Sequence, residues 1–193
     1  MSKHEISSID TAVILLELQA ELALKYGLDL KQRSFWINGT IDSKMLKHVD
    51  ACLSLLEGQS RSAITLKLSS LGGECYSALA IVSRISKSKC KVNIEAHGSV
   101  MSAATLVLAS GKSRAISQYA TFMHHEASYS VGGRHSEVQA WVEQFEKEEK
   151  VWSSWMAKLT GTPADYWLGL GKHTDKFLTP EQLKQLGVVD KIF

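Results

Sequence analysis

Gly98-Ser99-Val100-Met101-Ser102-Ala103-Ala104 stands between two runs of different character. Before it, Lys91-Val92-Asn93-Ile94-Glu95-Ala96 is rich in β-branched residues and reads as a strand over 90–96. After it, Ala103-Ala104-Thr105-Leu106-Val107-Leu108-Ala109 is small and apolar and reads as a buried helix over 103–110, broken by Gly111. A strand that turns straight into a helix is the repeating joint of an α/β fold. Ser102 falls on that joint, on a tight turn, with its hydroxyl near the positive end of a helix. His125 follows on the next expected strand, within reach of it. A serine hydroxyl is a weak nucleophile without an adjacent base, so Ser102 and His125 together form a candidate catalytic pair.

The same alternation extends outward in both directions. Upstream, residues 10–26 read as a helix with Asp10 or Thr11 as N-cap and Gly27 at its end. Ser34-Phe35-Trp36-Ile37-Asn38-Gly39 is a short strand and turn. Residues 42–57 form a second helix, with Met45, Leu46, Val49, Leu53 and Leu56 at helical spacing and Gly58 closing it. Ala63-Ile64-Thr65-Leu66-Lys67-Leu68 is a strand, and residues 75–87 a third helix. Downstream, Ala115-Ile116 and Ala120-Thr121-Phe122-Met123 are strands. Such spacing predicts parallel strands joined by right-handed crossovers, with functional loops where strands end and helices begin. A long helix over about 135–160 repeats Val138, Phe145, Trp152 and Leu159 every seven residues. Its length, and two of the chain's five tryptophans in its second half, point to a projecting helix that meets a neighbouring subunit, with a core helix as the plainer reading. Near the end, Thr179 is an N-cap with Pro180 at the first helical position, Gly187 stops that helix, and Val188-Val189-Asp190 is a last extended segment.

The composition sets bounds on function. The 193 residues are 45% hydrophobic and 22% charged, enough for one domain over 1–193 with a sizeable core. A net charge of +2 gives no electrostatic reason to bind nucleic acid or an anionic membrane. Cys52, Cys75 and Cys90 are odd in number and lack metal-ligand spacing, which predicts free, largely buried thiols in a reducing compartment. Ala12-Val13-Ile14-Leu15-Leu16 is too short for a membrane span and is followed by Glu17 and Glu21. It reads as part of an amphipathic helix rather than a signal peptide, and a cytoplasmic location follows. There is no P-loop and no GxGxxG, so no cofactor is expected, and any use of ATP belongs to a partner.

Gly72 and Gly73 follow one strand directly and precede a helix. Two glycines permit positive φ and aim backbone N–H groups into a cleft. With Ser102 on the neighbouring strand end, an oxyanion hole would take one N–H from Gly72 or Gly73 and the other from Ala103. Ser99 is a local competitor for the nucleophile, earlier in the turn. His124 and His125 face opposite sides of a strand, so only one can serve Ser102. A metal site from His124, His125, Glu126 and His135 lacks recognised ligand spacing.

Taken together, these residues resemble the proteolytic subunit of the Clp protease (ClpP), within the ClpP/crotonase superfamily. Arg33–Asp42 resembles the family's first strand and turn. Ser70-Leu71-Gly72-Gly73 resembles its S-P-G-G loop, with leucine in place of proline. Gly98–Ala104 resembles G-x-A-x-S-M-G, which implies Ser102 as nucleophile. Thr121–Ser128 resembles R-x-M-I-H-Q-P-S, which implies His125 as base rather than His124. Asp175-Lys176-Phe177-Leu178-Thr179-Pro180 resembles D-R-F-L-S-A, and Gly187-Val188-Val189-Asp190 the closing G-L-V-D. The resemblance implies an α/β fold of repeated β-β-α and β-α-β units with a long projecting handle helix. It also implies a serine endopeptidase that cleaves unfolded polypeptide inside a ring-shaped homo-oligomer fed by an ATP-dependent unfoldase. Ser128-Tyr129-Ser130-Val131-Gly132-Gly133 would receive the substrate as an added strand.

One stretch departs from the pattern. Leu168-Gly169-Leu170-Gly171-Lys172-His173-Thr174, where an orienting aspartate is expected, holds no carboxylate. Asp175 is the nearest and Asp165 lies across a turn. The orienting role falls to Asp175, to a backbone carbonyl or water, or to nothing. The missing arginine–aspartate pair, which in the family couples ring pairing to the site, motivates a rival reading: a catalytically impaired subunit of a mixed ring. Other members of the fold, a virus-type capsid maturation protease, a signal-peptide-peptidase-like enzyme or a crotonase-type acyl-CoA enzyme, are further alternatives.

Overall fold

A computed structural model describes residues 8–193, with side chains from Val13 onward. The cap is not at Asp10 or Thr11 as read: the helix already runs from Ser8, so both residues lie inside its first turn. The first helix, α1 (Ser8–Tyr26), ends at Gly27 and leads into a two-residue strand, β1 (Leu28–Asp29), which the sequence pattern does not signal. Then follow β2 (Ser34–Asn38), α2 (Ser43–Gln59), β3 (Ile64–Ser70), α3 (Cys75–Ser86), β4 (Val92–Met101) and α4 (Ala104–Ala109). The second half holds β5 (Arg114–Ile116), β6 (Thr121–His124), α5 (His135–Thr160), α6 (Ala164–Gly169), β7 (Lys176–Leu178), α7 (Pro180–Gln185) and β8 (Lys191–Ile192).

The eight strands form one sheet in the order β1-β2-β3-β4-β5-β8, with β6 pairing both β4 and β7. Strands β2 to β5 and β8 run parallel, as the strand–helix alternation predicts. Two pairs are antiparallel, β1 with β2 and β6 with β7. The second pair matters most for the site, because it brings the segment before Thr179 alongside the strand that precedes His125. Along β3, Ile64, Leu66, Leu68 and Ser70 are buried in strict alternation, the period of a strand with one face on the core. Val49, Leu53 and Leu56 of α2 and Ala78, Ile81 and Ile85 of α3 bury their stripes in the same core.

Four boundaries differ from the sequence reading, each for a local reason. Gly58 stays helical; α2 runs to Gln59, and the N–H of Ser60 closes it on Leu56 O at 3.4 Å. Gly98, Ser99, Val100 and Met101 belong to β4 rather than to the turn. The pairing passes from Leu68↔Ala96 to Ser70↔Val100, so a bulge absorbs Gly98 and the strand continues beyond it. Ala164–Gly169, which the sequence pattern does not signal, form α6. The last strand comes just after Val188-Val189-Asp190: Val188 and Val189 are buried in the core, and Asp190 bonds Arg114 just before β8.

The long helix has the expected bounds. Its buried residues, Ser153, Met156 and Thr160, all lie in its last turns, so the first four turns stand clear of the core. That is the geometry of a projecting handle. Among the described residues no helix is long and apolar enough to cross a membrane.

Candidate active site

Ser102 directly follows β4 and lies in the left-handed region, with φ 54°. Few non-glycine residues adopt that conformation, and it marks a backbone held by its surroundings. What holds it is visible on both sides. The Ser102 N–H donates to Met123 O of β6 at 2.9 Å, and the Ser102 carbonyl accepts from Thr105 N–H at 3.0 Å and from the Thr105 hydroxyl at 2.7 Å. The elbow is thus tied to the next strand and to the first turn of α4, and the hydroxyl is left free to point outward.

His125 follows β6 directly. Its Nε2 lies 2.7 Å from Ser102 Oγ, a hydrogen bond between the serine and a base. On the other side of the ring, Asp175 Oδ1 lies 3.8 Å from Nδ1. This is an ion-pair distance rather than a direct hydrogen bond, and the Asp175 side chain is 58% exposed. The stretch from Leu168 to Thr174 therefore supplies no orienting carboxylate, and Asp175, just before β7, is the one that faces the imidazole. His124 points away, as the strand alternation predicts. Its ring meets Trp167 edge-on at 5.3 Å, its buried Nδ1 has no partner, and burial pushes its pKa down to about 4.

The glycine pair lies directly beneath the elbow. A Cβ on Gly72 (φ 100°) would come within 2.7 Å of both Met101 O and Ser102 Cβ, and one on Gly73 (φ 148°) within 2.2 Å of Ile41 O. Only glycine fits either place. The two differ in what their N–H groups do. Gly72 N–H donates to Ser70 Oγ at 3.0 Å, and that hydroxyl donates in turn to Gly39 O at 2.5 Å. Among the described residues the N–H groups of Gly73 and Ala103 meet no acceptor. The two loops thus carry free donors at Gly73 and Ala103, while that of Gly72 is used to brace the turn.

Ser102 and His125 open into a cavity of about 390 Å³. Its apolar lining includes Leu106, Trp152, Met156 and Trp167, and Cys75 also reaches it. Glu149 lies in the same lining; burial and the nearby Glu126 and Glu146 carboxylates raise its pKa, partly offset by Lys172. A cavity this size beside the serine can hold one large side chain of an extended chain. Ser128–Gly133 forms no strand. Tyr129 instead stacks on Phe145 of α5, with ring centroids 3.6 Å apart. Ser99 lies within β4 opposite Thr121, away from the elbow. Among the described residues no three His, Cys, Asp or Glu side chains are grouped to hold a metal. Cys52, Cys75 and Cys90 are free, with Cys52 and Cys90 buried.

One feature of the site escapes the sequence reading. Gly171, in the loop between α6 and β7, has φ 81°, and a Cβ there would lie 2.7 Å from His125 Cα. The only signal was the pair of glycines flanking Leu170.

The chain is also similar to known proteins. The chain is 27% identical over 172 residues to the ATP-dependent Clp protease proteolytic subunit 2 of Corynebacterium jeikeium, covering 87% of this chain and 82% of that one. It is 25% identical, with the same coverage, to the proteolytic subunit 1 of Corynebacterium glutamicum. A ClpP1 variant from Listeria monocytogenes superposes with a TM-score of 0.78 at 22% identity, over 85% of this chain and 92% of that one, and so shares the fold. The model of the Clp protease family matches residues 19–193, and the chain belongs to that family of peptide-bond hydrolases.

Proposed function

We propose that the protein is a serine endopeptidase acting through an acyl-enzyme. The observation that carries this reading is the 2.7 Å contact between His125 Nε2 and Ser102 Oγ at a strained strand–helix elbow. His125 Nε2 takes the hydroxyl proton as Ser102 Oγ attacks a peptide carbonyl. The N–H groups of Gly73 and Ala103 receive the negative charge on the carbonyl oxygen; one such donor is typically worth ~3 kcal/mol in the transition state. The imidazolium then returns the proton to the leaving amine. Water, deprotonated by the same nitrogen, releases the acyl group, and Ser102 regains its proton. Asp175 steadies the imidazolium from the Nδ1 side.

The whole chain acts as one peptidase domain. It works in the cytoplasm on unfolded polypeptide, in a homo-oligomeric ring supplied by an ATP-dependent unfoldase. The names of its relatives as ATP-dependent proteolytic subunits support that setting. A second reading, a catalytically impaired subunit of a mixed ring, is favoured by one observation: Asp175 is 3.8 Å from the imidazole, too far for a direct hydrogen bond.

Fluorophosphonate labelling separates the two. The expected result is a single adduct on Ser102, located by mass spectrometry and absent from Ser102→Ala. A folded, oligomeric protein with no adduct would overturn the proposal in favour of the impaired subunit.

A further inference from the structure

We infer that Gly171 is a positioning residue for the reaction: its backbone abuts the backbone of His125 and sets the distance between that imidazole and Asp175. The inference rests on the serine-peptidase reading above. The β6–β7 ladder ends at His124↔Lys176, so His125 is the first residue past the last paired position and gains no support from that ladder. What meets its main chain is Gly171. A Cβ there would lie 2.7 Å from His125 Cα, 2.8 Å from His124 O and 3.2 Å from His124 C. All three are backbone atoms, which cannot turn aside as a flexible side chain would.

The same loop carries Asp175. Gly171 O accepts from Thr174 N–H at 3.3 Å, and Lys172 N–H donates to Gly169 O at 3.4 Å, so the chain turns tightly between the contact with His125 and the carboxylate. Anything that lifts Gly171 off His125 therefore carries Asp175 away from Nδ1 as well. With Asp175 Oδ1 already at 3.8 Å, a further displacement leaves the imidazole without a facing carboxylate. A misplacement of about 1 Å in a reacting group is costly in rate even when binding is untouched.

The test compares second-order rates of Ser102 acylation by a fluorophosphonate, and kcat and KM on a peptidyl ester, across five full-length variants. Gly171→Ala is expected to slow acylation by roughly 10- to 100-fold through kcat, with KM little changed. Gly171→Asn separates contact from backbone strain, because asparagine tolerates positive φ yet still brings a Cβ. It is expected to be impaired like the alanine variant, and it carries the test if alanine does not fold. Gly169→Ala, where a Cβ would meet nothing within 4 Å, is expected to match the wild type. Asp175→Asn and the double variant Gly171→Ala/Asp175→Asn complete a cycle. If Gly171 acts through the His125–Asp175 geometry, the two losses are strongly less than additive.

Wild-type acylation in Gly171→Ala or Gly171→Asn, full rescue by asparagine alone, or additive losses in the cycle would each overturn the inference while leaving the serine peptidase intact. Absence of any Ser102 adduct in the wild type would instead overturn the underlying reading, and this inference with it.

Discussion

At the scale of single residues, the two adjacent histidines show how one step along a strand separates two roles. His125 turns to Ser102, while His124 turns into an apolar setting against Trp167, where burial pushes its pKa down to about 4. The consequence is an acid weakness with a defined window. Between pH 6.5 and about 4 the unfolded chain binds a proton at this residue and the folded one does not, so stability falls as pH falls through that range. The effect amounts to about 1–2 kcal/mol at pH 5. His97, also held down by burial, acts in the same sense. The contribution of His124 is therefore the difference between wild type and His124→Leu in urea midpoints at pH 7 and pH 5. The wild type is expected to lose more on acidification, and an identical loss in the variant would contradict this account. That Ser102, His125 and the glycine pair would meet was legible in the sequence. The division of labour between Gly72 and Gly73 was not, because it depends on the Ser70 hydroxyl and its acceptor at Gly39, remote in sequence.

At the scale of elements, α2 and α3 are joined by a charged tie that no periodicity signals. Arg84 of α3 grips Glu57 of α2 through two nitrogens, at 3.0 and 3.1 Å, and reaches Asp50 with its Nε at 2.6 Å. Ser88 Oγ and Lys89 N–H also donate to Glu57, at 2.6 and 3.1 Å. The Arg84 guanidinium, aided by these two donors and opposed by burial, brings the Glu57 pKa down to about 2. A carboxylate depressed in the fold stabilises it above its ordinary value of 4.5, and that contribution is lost as pH falls from 4.5 towards 2. Glu57→Gln is expected to cost about 2 kcal/mol at pH 7 and to flatten the acid limb of the stability profile below pH 4.5. Calorimetric midpoints at pH 7 and pH 3 check both parts, and an unchanged acid limb would remove Glu57 as its cause. The cap at Thr179, by contrast, was readable in advance: Thr179 accepts from Gln182 N–H at 3.3 Å and donates its own N–H to the Gln182 side chain at 2.8 Å, within one turn.

At the scale of the whole molecule, apolar surface is left uncovered in two places. Leu16 and Leu24 of α1 are 66% and 89% exposed, and Trp141, Val142, Val151 and Trp155 stand out along α5. Large apolar side chains left exposed along two helices of a 21.3 kDa chain are expected to be covered by further copies. Light scattering is expected to give a mass several times that of one chain, and a stable single-chain species at micromolar concentration would contradict the ring. What the sequence by itself determined was set by neighbours a few positions apart. The strand and helix periods, the Thr179 cap, the strand–turn–helix joint at Ser102 and the opposite facing of His124 and His125 all arise from short-range geometry that each segment carries alone. The tertiary structure alone decided which carboxylate faces the imidazole, which glycine keeps a free N–H, that Gly98 lies in a bulge, and that Gly171 meets His125. Those outcomes depend on contacts between segments tens of residues apart, where sheet register and loop path bring backbones together and no local pattern records the meeting.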